Sequence, residues 1–176
     1  MSICQSANER HYSGGMEIRA AEIEDWPRIW PFFREIVRAG DTFAYDQRME
    51  EPEARAIWMV GPPARTAVAV DDGDLLGTAN MYANRPGPGS HVASASYMVN
   101  PAHWGKGTGR ALVEDSLDWA RGAGFKAIQF NAVTETNVSA VALYRSLGFD
   151  VIGRVPEAFL HPTEGYVGLH VMHRRL

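Results

Sequence analysis

Three alternating glycines, Gly105, Gly107 and Gly109, stand directly after an apolar extended stretch, Tyr97-Met98-Val99, and directly ahead of a run with helical apolar spacing that opens at Ala111-Leu112. Without a Cβ, glycine adopts left-handed backbone conformations and lets successive N–H groups converge on one point. The first turn of a helix adds unpaired donors and the positive end of its dipole. A strand, a glycine turn and a helix in this order therefore form a nest for phosphate, with Thr108 inside it and Lys106 and Arg110 supplying charge at the rim. Two nucleotide-binding versions of the arrangement fit poorly. A P-loop ends in Gly-Lys-Ser/Thr, whereas Lys106 lies between glycines. A dinucleotide fingerprint reads G-x-G-x-x-G near the start of its βαβ unit, with an acidic residue about 20 positions on; here the glycines alternate and lie past the middle of the chain.

A second string follows. Asn137-Val138-Ser139-Ala140-Val141-Ala142-Leu143-Tyr144-Arg145-Ser146-Leu147-Gly148-Phe149 reads N-x-x-A-x-x-L-Y-x-x-x-G-F. In this order the two strings resemble the Gcn5-related N-acetyltransferase (GNAT) superfamily, whose motif A is R/Q-x-x-G-x-G/A and whose motif B ends in such a helix and Gly-Phe. The resemblance runs from Asp74 to the C-terminus and is nearest to the small bacterial branch of phosphinothricin-type and amino-acid N-acetyltransferases. Two positions depart from it. Trp104 stands where motif A opens with Arg or Gln, and is expected to be a packing residue. Ser94 stands where that branch carries a glutamate on its fourth strand as the favoured base.

With 176 residues, 45% of them hydrophobic and 22% charged, the chain has the size of one compact α/β domain with a proper core. A net charge of −4 without a basic run argues against nucleic acid and against a membrane surface as partners. No apolar run approaches the roughly 20 residues of a spanning helix. Residues 1–15 are polar, lack the apolar core of a secretory signal, and are expected to be a disordered tail ahead of a domain over 16–176. The single cysteine, Cys4, can form no internal disulfide, so a reducing, cytoplasmic location is the expectation.

Met16 to Arg19 opens the domain as a strand. Trp26, Ile29, Trp30, Phe33 and Val37 then repeat at helical spacing. The loop Gly40 to Asp46, rich in aromatic and acidic groups and implied by the resemblance to line the acceptor site, follows, and then a short helix over Pro52–Met59. Strands over Thr66–Val70 and Leu75–Tyr82 flank the acidic turn Asp71-Asp72-Gly73-Asp74, a hairpin signal. The remainder reads as strand (His91–Asn100), helix (Gly107–Arg121), strand (Lys126–Ala132), helix (Asn137–Leu147) and two closing strands. Antiparallel strands followed by a β-α-β-α-β run predict a mixed, mostly antiparallel sheet with helices on both faces. The resemblance implies that it is splayed between its fourth and fifth strands.

The resemblance also implies the chemistry: acetyl transfer from acetyl-CoA to a primary amine. Cofactor contacts fall to the loop Gly105, Lys106, Gly107, Thr108, Gly109 and Arg110, to the strand Tyr97, Met98 and Val99, and to Asn137 and Tyr144. The Val99 N–H is the oxyanion donor, and the Tyr144 hydroxyl protonates the leaving thiolate. Asn137 equally suits a helix N-cap. For the base, His91 and Glu135 are the candidates, with Asp41 outside them. Phe159 to Tyr166, with His161 and Glu164, is a candidate substrate-covering loop. His170 and His173, three apart in a strand, fall on opposite faces, and no metal site is expected. The acceptor is expected to be a small amine such as an amino acid, an amino-acid-like toxin or a polyamine. The alternatives are a protein lysine or N-terminus, or a CoA-binding sensor without activity. A homodimer is expected on analogy alone.

Overall fold

The computed structural model describes residues 10–11 and 15–176. The expected tail and Cys4 lie outside the described residues, save that Arg10–His11 forms a two-residue strand, β1, paired antiparallel with Glu17–Ala20, β2. Next come α1 (Trp26–Ala39), α2 (Glu51–Trp58), β3 (Arg65–Asp71), β4 (Asp74–Ala83) and β5 (Val92–Val99). The chain ends through α3 (Thr108–Gly122), β6 (Ala127–Thr134), α4 (Val138–Ser146), β7 (Asp150–His161) and β8 (Gly165–Arg175). Local chemistry accounts for the ends of α1. Asp25 accepts the Glu22 N–H in a capping box and is held by both Arg19 guanidinium nitrogens at 2.7 and 2.8 Å, and Gly40 closes the helix with φ 66°. Among the described residues no helix is long and apolar enough to cross a membrane.

The strands form one sheet in the order β1-β2-β3-β4-β5-β6-β8-β7, antiparallel throughout except where β5 meets β6. That parallel pair holds for two positions only, Val92↔Ala127 and Ala93↔Ile128, after which the strands diverge. Because β1 adds one strand at the N-terminus, this is the splay expected between the fourth and fifth strands. The closing strands are longer than their sequence signal. They make a continuous hairpin in which Phe159 pairs with Val167 and His161 with Gly165. The expected covering loop is thus the tip of a hairpin, where His161 Nδ1 accepts the N–H groups of Thr163 and Glu164.

Each face of the sheet has its own core. Trp26, Phe33 and Trp58 from α1 and α2 pack with Val68, Leu75 and Met98 on one side. Leu112, Leu117 and Val141 from α3 and α4 pack with Ile18, Met81, Phe130 and Phe149 on the other. Each fully buried large side chain contributes about 1.5–3 kcal/mol. Two polar contacts fix the layers in register: Trp58 Nε1 donates to Thr78 Oγ1 at 3.1 Å, and Arg65 pairs with the buried Asp115 of α3 at 2.8 Å.

Gly77 sets how closely α3 approaches the sheet. It lies where β4 slips against β3 between Ala69 and Val70. A Cβ there would stand 2.8 Å from the Met98 carbonyl oxygen, 3.1 Å from Thr108 Cγ2 and 3.2 Å from Leu112 Cδ1. Gly77→Ala is therefore expected to push the first turn of α3 outward and lower unfolding free energy by about 1–3 kcal/mol. Urea unfolding measures this, and a midpoint equal to that of the parent protein would contradict the close approach.

Candidate active site

Beyond Ala93 the edge of β5 has no strand beside it, and its hydrogen-bonding groups face the gap at every second residue. The Asn100 N–H goes to the Leu76 carbonyl and the Val92 carbonyl accepts from Asn84, both on the β4 side, whereas the His91 carbonyl accepts from Lys126 on the β6 side. Alternation along the strand therefore turns the main-chain groups of Ala95, Tyr97 and Val99 into the gap. Met98 turns its main chain toward β4 and buries its side chain in the α1–α2 core, so it presents no donor there. The gap widens into a cleft of about 240 Å³. On the α3–α4 side it is walled by Tyr97, Phe130, Asn137 and Tyr144; on the α1–α2 side, by Phe43, Tyr45, Tyr82, Ser94, Ser96 and Asn131. The loop after α1 closes over it, tied down where Thr134 Oγ1 donates to the Thr42 carbonyl at 3.1 Å.

At the open end of β5 lies the glycine loop. Gly105 and Gly107 are left-handed, with φ 84° and 78°, and Gly107 caps α3. A Cβ on either would meet nothing within 4 Å, so the space above the loop is open while its N–H groups stay accessible. Thr108, at the first position of α3, is buried and its Oγ1 has no hydrogen-bond partner. Lys106 Nζ lies 3.8 Å from Asp71, and Arg110 donates to Ser146 Oγ at 2.8 Å and pairs with Glu114 at 3.5 Å. Both cations stand at the rim. These features fit a diphosphate on the loop, as a CoA thioester would place it. Trp104 corrects an expectation: it is 71% exposed. It follows the turn Pro101–His103 in an extended conformation, which leads it away from the core before Gly105 reverses the chain.

Two tyrosines meet in the gap, and their hydroxyls differ. Tyr97 Oη is 2.6 Å from Ser116 Oγ, which donates in turn to the Val113 carbonyl. The Tyr144 hydroxyl has no hydrogen-bond partner among the described residues, while its ring packs on Phe130 at 4.6 Å and Phe149 at 6.0 Å. Burial raises the Tyr144 phenol above its ordinary value, so it stays protonated at neutral pH and has a proton to give. Asn137 caps α4, its Oδ1 accepting the Ala140 N–H at 3.2 Å.

Neither candidate base is among the residues that line the cleft. His91 precedes β5 at the end where β5 and β6 are paired, and its Nδ1 donates to the Pro88 carbonyl. β5 has 8 residues, so roughly 26 Å of extended chain separates His91 from Val99. Glu135 lies beside the cleft but is fully engaged. Arg154 donates to both its oxygens, at 2.5 and 2.8 Å, and the Gly168 N–H adds a third bond. The Arg154 hydrogen bonds, then that of Gly168, lower its pKa to about 2, which leaves it little affinity for an ammonium proton. Gly168 permits this latch, because a Cβ there would lie 2.6 Å from Arg154 Nε.

A depressed carboxyl stabilises the fold above its ordinary pKa, and that contribution is lost as pH falls through the folded value. Glu135→Gln is therefore expected to melt below the parent at pH above 4.5, with the difference vanishing toward pH 2. It is also expected to leave the pH–rate profile unchanged. Thermal melts across that range and a pH–rate series check both.

Sequence reading missed Tyr82, Ser96 and Asn131 as cleft residues, and it noted Ser94 only as a departure. A signal was present. Ser94 and Ser96 interrupt an otherwise apolar strand at period two, which puts both on the face opposite Ala93, Ala95 and Tyr97.

Comparison with known proteins agrees with this geometry. The family model described as Acetyltransferase (GNAT) family matches residues 22–149. The N-acetyltransferase aca1 of Schizosaccharomyces pombe is 30% identical over 156 residues, 80% of this chain and 75% of that protein. The L-methionine sulfoximine/L-methionine sulfone acetyltransferase of Salmonella typhimurium is 31% identical over 152 residues, 81% of this chain and 84% of its own. Among solved structures, a GCN5-related N-acetyltransferase from Kribbella flavida superposes with TM-score 0.91 at 63% identity, covering 94% of this chain and all of that one. The acetyltransferase yncA of Salmonella typhimurium, solved with acetyl-CoA, gives 0.78 at 25% identity over 93% of this chain and 95% of its own. A splayed sheet, a glycine loop at its open end and a tyrosine in the gap thus occur in a chain that belongs to the acetyltransferase (GNAT) family and is an acyltransferase.

Proposed function

We propose that this protein is an acetyl-CoA-dependent N-acetyltransferase that passes the acetyl group directly to the primary amine of a small molecule within a ternary complex. The observation that carries the reading is the gap between β5 and β6. It joins a phosphate-binding loop and the unpartnered Tyr144 hydroxyl on one face of the sheet to an aromatic, hydroxyl-lined cleft on the other. Acetyl-CoA in complex with yncA supports the choice of donor, and the methionine sulfoximine acetyltransferase supports a small acceptor. The setting we infer is a cytoplasmic homodimer, on the single cysteine and on analogy.

The loop over residues 105–110 holds the diphosphate through main-chain N–H groups, and the pantetheine arm runs along the free edge of β5. The amine nitrogen attacks the thioester carbon from the α1–α2 side. As the C–N bond forms, the Val99 N–H donates to the carbonyl oxygen, a contact worth about 10²–10³ in rate for donors of this kind. The C–S bond breaks, and the Tyr144 hydroxyl gives its proton to the sulfur. The nitrogen loses one proton and the thiolate gains one, so Tyr144 is recharged without net consumption of base when the amine arrives neutral. Phe43 and Tyr45, which line the cleft from the loop after α1, favour a small acceptor over a polypeptide, which needs an open groove. Thiol release from acetyl-CoA with amino acids, polyamines, aminoglycosides and lysine peptides tests the reading. Turnover is expected with small amines, and a higher kcat/KM for lysine peptides would overturn it.

A further inference from the structure

Among the described residues, the lining of the cleft contains no Asp, Glu, Lys, Arg or His. Its acceptor side is built from flat rings and neutral hydrogen-bonding groups: Phe43 stacked on Tyr45 at 5.6 Å and 10°, then Tyr82, Ser94, Ser96 and Asn131. We infer, resting on the acetyltransferase reading above, that the acceptor is a weakly basic amine without a free carboxylate, attached to a flat or apolar body.

Three physical arguments meet here. A free amino acid brings a carboxylate, which in a partly enclosed cleft needs a cation to offset its lost hydration. Arg154, on the neighbouring hairpin, is engaged by Glu135, and among the described residues no guanidinium or ammonium lines the cleft. A strongly basic amine brings a proton that must be removed before attack, and the lining holds no base. The titratable groups facing the acceptor side are the Tyr45 and Tyr82 phenols, and burial raises the Tyr45 phenol to about 12. The carboxylates next along the chain to lining residues are Asp41, Asp46, which Arg48 binds, and the tethered Glu135. At pH 7 an α-amine with pKa near 7.8 is neutral roughly 300 times more often than an alkylamine with pKa near 10.4. Finally, hydroxyls, a carboxamide and ring faces satisfy an amide or an aromatic body without leaving a charge unpaired.

The test uses three acceptors with one body: L-phenylalaninamide, L-phenylalanine and phenethylamine. Acetyl-CoA affinity is measured first by calorimetry. At pH 7, kcat/KM for phenylalaninamide is expected to exceed the other two by at least about tenfold. Raising the pH to 9 should narrow the gap to phenethylamine, as its neutral fraction grows, while that to phenylalanine persists. Asp41→Asn should keep the order. Equal or faster turnover of phenylalanine overturns the inference, as does loss of all turnover in Asp41→Asn, which would make Asp41 the base. Acetyl-CoA binding with none of the three acetylated also overturns it. No acetyl-CoA binding at all would overturn instead the acetyltransferase reading on which it rests.

Discussion

Tyr144→Phe is expected to lower turnover at least about tenfold while leaving acetyl-CoA affinity unchanged, the usual scale for loss of a positioned acid. The substitution keeps the ring and therefore its packing on Phe130 and Phe149. What it removes is a hydroxyl that bonds to nothing else among the described residues. Tyr97→Phe makes the contrast. That hydroxyl is bound to Ser116, so its loss should cost about 0.5–1.5 kcal/mol of stability and little catalysis. Rapid-quench single turnovers separate the chemical step from product release. Equal single-turnover rates in Tyr144→Phe and parent would make Tyr144 a packing residue.

Gly107→Asp should abolish acetyl-CoA binding at concentrations that saturate the parent protein. Position 107 has φ 78°, and a side chain there projects into open space above the loop, the space a diphosphate needs. Asp tolerates left-handed backbone better than most residues, so the fold should survive while a carboxylate is set against the incoming anion. Gly107→Ala, which adds bulk without charge, should weaken binding less. Calorimetry measures both, with circular dichroism as the check on folding. Unchanged affinity in a folded Gly107→Asp protein would exclude the loop as the phosphate site.

What could be read from the sequence was what local chemistry determines. Gly105 and Gly107 needed only their own backbone freedom and the helix behind them to mark a left-handed turn that opens α3. The apolar period of α1 marked its buried face, and the acidic turn at residues 71–74 marked the hairpin. The misplaced residues depend on partners far along the chain. Glu135 resembles a free loop carboxylate until Arg154 and Gly168 come in from the closing hairpin to hold it. His91 directly precedes β5, but only the pairing of Val92 and Ala93 with β6 shows that its end is the closed one. Trp104 is large and apolar, yet the turn at Pro101–His103 directs it to solvent. The strand residues on the acceptor side of the cleft were hidden for the same reason: Tyr82 comes from β4, Ser94 and Ser96 from β5 and Asn131 from β6, and no stretch of sequence holds the set.

The most direct test of the account is a crystal structure of the protein with acetyl-CoA. The account predicts the diphosphate on the N–H groups of residues 105–110, the thioester oxygen within about 3.2 Å of the Val99 nitrogen, and the sulfur facing the Tyr144 hydroxyl. A pantetheine arm lying outside the gap between β5 and β6, or a thioester turned away from both Val99 and Tyr144, would contradict it.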